Sequence, residues 1–218
     1  VLSGKGGSGV SLVSVLLAIR SARAGRRTLL VDADPWLDMQ RVWLGLPKAP
    51  SLDGRYLGAE DVEARITPVH GGLELLCLGT GEAQGRDRRA GVRRVPTVFR
   101  ERDAVVVDAG SRLESVERCA DLDVGSMLIV SGCDAVGLAS THALLKAVRS
   151  RTEVEPTILF NQVDESAARA ACTVLTNGAE RFLGATPDVL GGLPTDTGLS
   201  DGLAKGATLL ECLVSSHL

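Results

Sequence analysis

Ser3-Gly4-Lys5-Gly6-Gly7-Ser8-Gly9-Val10-Ser11 lies between a short apolar opening, Val1-Leu2, and an apolar-periodic run from Val10 to Ala24. A strand, a glycine-rich loop and a helix in that order aim backbone N–H groups and a helix N-terminus at phosphate. The stretch fits two templates at once. As G-x-G-x-x-G it uses Gly4, Gly6 and Gly9, with Asp32 ending the second strand where a dinucleotide fold keeps its ribose acid. As G-x-x-x-x-G-K-[ST] it uses Gly4, Gly9 and Ser11, with Val10 standing where the lysine belongs. The loop alone leaves both open.

Working outward, short apolar runs alternate with helical periodicity. Val1–Ser3, Thr28–Val31, Leu73–Leu78, Ala104–Val107, Met127–Val130, Thr157–Phe160 and Val189–Leu190 read as strands. Helices are expected over Val10–Ala24 and about 84–100, 112–122, 134–150 and 165–183. Strands this short and continuously apolar belong to a parallel sheet covered on both faces. Right-handed crossovers then give an α/β fold: a doubly wound, mostly parallel sheet of about seven strands. Residues 45–72, with Pro47, Pro50, Gly54, Gly58, Pro68, Gly71 and Gly72, read as irregular chain with short helices on the sheet edge. No repeat or linker interrupts the pattern, so 1–218 reads as a single domain, trimmed at one or both ends.

Composition narrows the function. The chain has 218 residues, 44% of them hydrophobic, and a net charge of −3, so no global basic field draws it to nucleic acid. The longest apolar runs, such as Ser11–Ile19, fall short of the ~20 residues a membrane helix needs. Cys77, Cys119, Cys133, Cys172 and Cys212 are scattered without a C-x-x-C, which fits buried thiols in a reducing cytoplasm rather than zinc or disulfides. Of 24 basic residues only Lys5, Lys48, Lys146 and Lys205 are lysine, which makes Lys5 in the loop conspicuous. Seven arginines fall within 86–102 and read as an exposed helix face. His70, His142 and His217 have no acidic or thiol neighbours at ligand spacing.

The strand ends favour the second template. Val31-Asp32-Ala33-Asp34-Pro35 places two carboxylates after a strand, which suits Mg²⁺ and its water better than a ribose hydroxyl. Val105-Val106-Val107-Asp108 ends in an acid with Gly110 following, the form of a Walker B site. Asn161 ends another strand, where an amide can read an adenine edge. Any one such acid can be a helix cap; this succession at one sheet edge is where open α/β sheets bind ligands.

These residues resemble the MinD/ParA group of deviant-Walker ATPases, whose loop reads K-G-G-x-G-K-[ST]. Leu30-Val31-Asp32-Ala33-Asp34 is similar to the group's second motif, Val107-Asp108-Ala109-Gly110 to its switch segment, and Leu193-Pro194-Thr195-Asp196 to its late I-P-x-D stretch. The stretch from Asp134 to Lys146 and Arg181-Phe182-Leu183-Gly184 look most like the FlhG/FleN regulators of flagellar number, with CpaE/TadZ-like localisers as close competitors.

The resemblance implies a cytoplasmic protein that binds ATP and Mg²⁺ and forms an ATP-dependent homodimer. Its partner would belong to a flagellar, pilus or division machine, reached at the membrane or cell pole. Gly4, Lys5, Gly6, Gly7, Ser8, Gly9, Val10 and Ser11 would cradle the phosphates, and Lys5 would reach across the dimer. Ser11, Asp32 and Asp108 would serve the metal, Asp34 the attacking water, and Asn161 and Pro194 the adenine.

Two departures shape the expectation. Val10 removes the lysine that neutralises the β/γ-phosphates, so turnover should be slow or absent. After Asp108 the group continues Thr-Gly-Ala-Gly, whereas this chain has Ala109-Gly110-Ser111-Arg112. Arg112 either supplies a substitute charge or is a solvated arginine on a first helical turn. Residues 207–218 lack the lysines and arginines of a basic membrane helix, so membrane binding by these residues is not expected. Three readings remain: a nucleotide-gated switch, a pseudo-ATPase scaffold of the same fold, and, remotely, a dinucleotide oxidoreductase.

Overall fold

A computed structural model describes residues 1–34, 39–47, 59–78 and 96–215. Among them the order is α1 (Val10–Arg23), β1 (Thr28–Asp32), α2 (Met39–Trp43), α3 (Ala59–Glu63), β2 (Thr67–His70), β3 (Leu73–Cys77), α4 (Pro96–Phe99) and β4 (Ala104–Asp108). Then follow α5 (Glu114–Asp121), β5 (Leu128–Ser131), α6 (Ala135–Arg151), β6 (Thr157–Asn161), α7 (Glu165–Leu183), β7 (Asp188–Leu193), α8 (Thr197–Ala204) and α9 (Leu209–Ser215). Contacts group them into two compact units, Val1–Ser14 with Val107–Thr195, and Val15–Val106 with Asp196–Leu218.

The first unit is built on parallel strands in the order β5-β6-β7. Beside β5 runs the opening segment: Leu2 N–H donates to Leu128 C=O at 2.9 Å, and Val130 N–H to Leu2 C=O at 2.9 Å. On its other side Ala109 N–H donates to Val1 C=O (2.9 Å) and Ser3 N–H to Gly110 C=O (3.1 Å). Along the opening segment, β5 and β6 the apolar side chains are covered, with Leu2, Ile129, Val130, Ile158 and Phe160 fully buried, whereas the edge strand β7 leaves Leu190 and Leu193 exposed. Asp134 and Asp164 cap α6 and α7, each accepting from the N–H three residues on (Gly137 and Ala167, both 2.8 Å).

The other sheet has the order β2-β3-β1-β4, with β1 and β3 parallel and β2 antiparallel to β3; the second unit holds β1, β2, β3 and the start of β4 up to Val106. Every residue of β1 is buried. The strand β2 corrects the expectation of irregular chain and short helices alone over 45–72: α3 is such a helix, but Thr67–His70 pairs along β3. Pro68 hides it from a sequence reading, and only an edge position tolerates the missing N–H. Of the arginine-rich stretch, residues 79–95 lie outside the described residues, and so does most of the helix expected over 84–100.

Arg102 departs from the expected exposed face. Its side chain is only 6% exposed, with both Nη atoms on Glu63 (3.0 and 2.6 Å) and Nε on Glu74 (2.9 Å). The Glu63 hydrogen bond, followed by that to Glu74, raises its pKa further despite burial. It joins α3, β3 and the turn after α4 as an ion-pair hub.

Candidate functional site

In the first unit the loop is held by its own residues. Gly7 and Gly9 take φ of +80° and +86°, a region L side chains avoid. Ser8 Oγ donates to Lys5 C=O at 2.8 Å, Ser3 Oγ donates to Ser8 Oγ at 3.0 Å, and Lys5 N–H donates back to Ser3 Oγ at 3.2 Å. Ser3 and Ser8, both buried, thus staple the loop across its base. Asn161 Nδ2 donates to Ser8 C=O at 2.9 Å, fixing the loop to the end of β6. The crest is open: a methyl at Gly7 would meet nothing within 4 Å, and one at Gly6 only Ser111 Oγ at 3.8 Å. Beneath it the packing is tight, because a Cβ at Gly4 would fall 2.6 Å from Ser140 C=O on α6.

Val10 starts α1, and the first intrahelical bond runs from Val13 N–H to Gly9 C=O at 2.9 Å. Earlier N–H groups therefore point out of the helix toward the loop. The Val10 side chain turns the other way. It is 5% exposed and packs with Val13 and Val130 among Val1, Leu128 and Leu159. At this position only the backbone can serve an anion, and the side chain belongs to the core.

Lys5 Nζ donates to Asp134 Oδ2 at 2.8 Å. The Lys5 bond, then the Gly137 N–H, holds the Asp134 carboxyl below its ordinary value of 3.8. A depressed acid keeps its pair intact above the unfolded value and loses it as pH falls through the lowered one. The pair should therefore be unchanged from pH 8 to 5 and open only in acid below 3.8. Carboxyl-carbon titration of Asp134 by NMR checks this, and Lys5→Met should move its midpoint upward but, with Gly137 still bound, not fully back.

Asp108 is buried in the same unit, and its Oδ1 accepts from Gly110 N–H at 3.1 Å. Ser11 is half-buried on the first turn of α1, and Pro194 follows β7 and is exposed. This unit therefore gathers Lys5, the glycine loop, Ser11, Asp108 and Asn161. Asn161, expected at an adenine edge, gives one Nδ2 hydrogen bond to the loop. In the second unit Asp32, buried at the end of β1, accepts from Asp34 N–H (3.2 Å) and Gln40 N–H (3.4 Å), and Asp34 is half-buried. Arg112 is exposed, its N–H on Ser115 Oγ at 3.2 Å. His142 meets the Phe182 ring edge-on at 6.1 Å.

Sequence reasoning missed Asp134, the partner of Lys5, and Ser3, the base of the staple. Asp134 carries only a helix-cap signal, and nothing in the chain links it to a lysine 129 residues earlier. Among the described residues no three His, Cys, Asp or Glu side chains form a metal-holding group, and no helix is long and apolar enough to cross a membrane.

The expected strand Val1–Ser3 is reduced to a single bridge from Leu2 to Ile129, and the glycine loop runs from it into α1; with acids closing nearby strands, this arrangement defines the phosphate-loop nucleotide-binding class. The chain belongs to the CobQ/CobB/MinD/ParA nucleotide binding domain family (CbiA), whose model matches residues 1–209, and it is thus of the MinD/ParA ATPase family. It is 26% identical to the antiactivator FleN of Pseudomonas aeruginosa, over 99% of this chain and 80% of FleN. Among solved structures it is similar to the septum site-determining protein MinD of Pyrococcus horikoshii complexed with Mg-ADP. There the TM-score is 0.69 at 19% identity, covering 97% of this chain and 86% of that one. Cobyrinic acid a,c-diamide synthase of Mycobacterium smegmatis with bound ADP and magnesium gives 0.69 at 19%, covering 94% and 93%. These likenesses show the fold, a doubly wound, mostly parallel sheet with helices on both faces.

Proposed function

We propose that this chain is a nucleotide-responsive regulator that binds ATP with Mg²⁺ through its loop backbone, pairs with a second copy, and hydrolyses slowly or not at all. The machine it regulates would be the flagellum or a related cell-pole assembly. The observation that carries the reading is the loop itself: ordered by Ser3, Ser8 and Asn161, open over Gly6 and Gly7, and set at the start of α1. That cradle suits a phosphate chain, since the crest over Gly6 and Gly7 is left clear. Mg²⁺ typically takes one or two carboxylates plus phosphate oxygens, so no all-protein cage is needed.

The motif pattern assigns roles to this chain's residues. Backbone N–H groups of Gly6, Gly7, Ser8, Gly9, Val10 and Ser11 would hold the phosphates, with the dipole of α1 adding to the attraction. The Ser11 hydroxyl, Asp32 and Asp108 would serve the metal, and Asp34 would orient water. Bound Mg²⁺ would neutralise phosphate charge. Lys5, held by Asp134 in the single chain, would exchange that carboxylate for phosphate when two copies meet. Asn161 and Pro194 would flank the base, with Asn161 also supporting the loop from behind.

Lacking the P-loop lysine removes one charge-assisted contact, about 1.5–3 kcal/mol. Affinity should fall tenfold to a hundredfold from that of a loop that has it. FleN similarity over 99% of the chain supports a regulatory role, and the pseudo-ATPase scaffold is the second reading because Val10 is a core residue. Calorimetry with ATP·Mg²⁺, ADP and NAD separates them. Micromolar to sub-millimolar ATP binding is expected. No binding at millimolar ATP would leave the scaffold, and tight NAD binding would restore the oxidoreductase.

A further inference from the structure

The segment after β4 is held by a residue that the nucleotide reading leaves unused. Arg118, on the second turn of α5, donates from Nε and Nη2 to Ala109 C=O at 3.0 and 2.8 Å. The same Nη2 donates to Ser115 Oγ at 2.9 Å, and that hydroxyl accepts Arg112 N–H at 3.2 Å. One guanidinium–hydroxyl unit therefore grips both ends of residues 109–112. The middle is equally committed. Ala109 N–H is on Val1 C=O, Gly110 N–H on Asp108 Oδ1, and Gly110 C=O takes Ser3 N–H from the foot of the loop. Asp108, Ala109 and Ser115 are at most 1% exposed, so these bonds exchange little with water.

Nucleotide switches work by ordering a loose segment when the terminal phosphate arrives and releasing it afterwards. A ligand shifts an equilibrium only as far as its contacts differ between the two states. Here every backbone polar group of Ala109 and Gly110 already has a partner, so a γ-phosphate has little left to order. Resting on the nucleotide-binding reading above, we propose that Arg118 is a positioning residue that clamps residues 109–112 in one arrangement. A single chain then binds ATP and ADP with similar affinity, and the two nucleotides differ only in the contacts made when two copies meet. An arginine fork suits this because two nitrogens share one carbonyl, which a lysine's point charge cannot reproduce.

Two measurements on the full chain test it. Amide hydrogen exchange without nucleotide reads the clamp directly. Arg118→Leu should speed exchange over 108–112 at least tenfold while leaving 135–151 unchanged, and Arg118→Lys should fall between. Unchanged exchange over 108–112 in Arg118→Leu overturns the clamp; where that variant does not fold, unchanged exchange in Arg118→Lys does so. Binding of AMPPNP and ADP at protein concentrations that keep the chain monomeric reads the sensing. The wild-type affinities should agree within threefold, and Arg118→Leu should shift their ratio at least fivefold. A wild-type ratio beyond tenfold, or an unmoved ratio in the variant, overturns the sensing claim. A wild type that binds neither nucleotide removes the nucleotide reading and the sensing claim with it, and the exchange result then decides the clamp alone.

Discussion

Gly9→Ala should destabilise the protein by about 2–3 kcal/mol and abolish measurable nucleotide binding. Two separate costs combine. At φ of +86° an L residue carries a strain of roughly 1–2 kcal/mol. The new Cβ would also fall 2.3 Å from Asn161 Nδ2, which must withdraw and give up its bond to Ser8 C=O, about 1 kcal/mol more. Gly7→Ala isolates the first cost, because φ there is +80° and a methyl meets nothing within 4 Å. Urea unfolding of both variants should place Gly7→Ala at about half the loss. Combining Gly9→Ala with Asn161→Ala should show positive coupling, since the second change removes the atom in the way. Equal losses at Gly7 and Gly9, with no coupling to Asn161, would mean that the amide does not brace the loop.

The same contact shows where a sequence stops being readable. Thr28–Val31, Val105–Val107 and Ile158–Phe160 announce themselves because strands covered on both faces need unbroken apolar runs. The edges are harder. Pro68 breaks the run that forms β2, and Gly191-Gly192 shortens the apparent β7, although Gly192 is required because a Cβ would come 2.7 Å from Ala168 Cβ. In β7 the pairing also skips Leu190, from Ile158 opposite Val189 to Leu159 opposite Gly191, so alternation gives no clue.

At the site, residue types and their order were legible, since short motifs carry them. Partnerships were not. Asn161 finds Ser8 across 153 residues and Lys5 finds Asp134 across 129, and neither pairing leaves a periodic trace. The glycines were visible as a phosphate signature, but Gly4 answers to the backbone of α6 and Gly9 to the Asn161 amide. Phosphate approach and internal packing ask for the same residue, and only the folded chain separates the two demands. Arg102 and Arg118 make the opposite point. Among many arginines they look interchangeable with solvated ones, yet each closes a specific set of acceptors.

Val10→Lys should pull stability and affinity in opposite directions. Val10 is 5% exposed against Val13 and Val130, so its removal forfeits about 1.5–3 kcal/mol of apolar burial. The lysine stem can recover part by lying along the same surface while the ammonium turns out. Without nucleotide the variant should therefore unfold at lower denaturant than wild type by roughly 1–2 kcal/mol. With ATP·Mg²⁺ the order should reverse. A tenfold to hundredfold gain in affinity is about 1.4–2.7 kcal/mol, and ligand at saturating concentration transfers that gain to the folded state. Denaturant curves with and without ATP·Mg²⁺ would show the crossing. Loss of stability that ATP does not offset would mean that a side chain at position 10 does not reach phosphate from any rotamer, leaving the loop backbone as the whole of the anion site. Turnover divides the outcome further. Its return would make the missing charge the sole block, because developing negative charge is what that lysine stabilises. Tight binding without turnover would put the block in residues 109–112 instead, and adding Arg118→Leu to Val10→Lys should then release it.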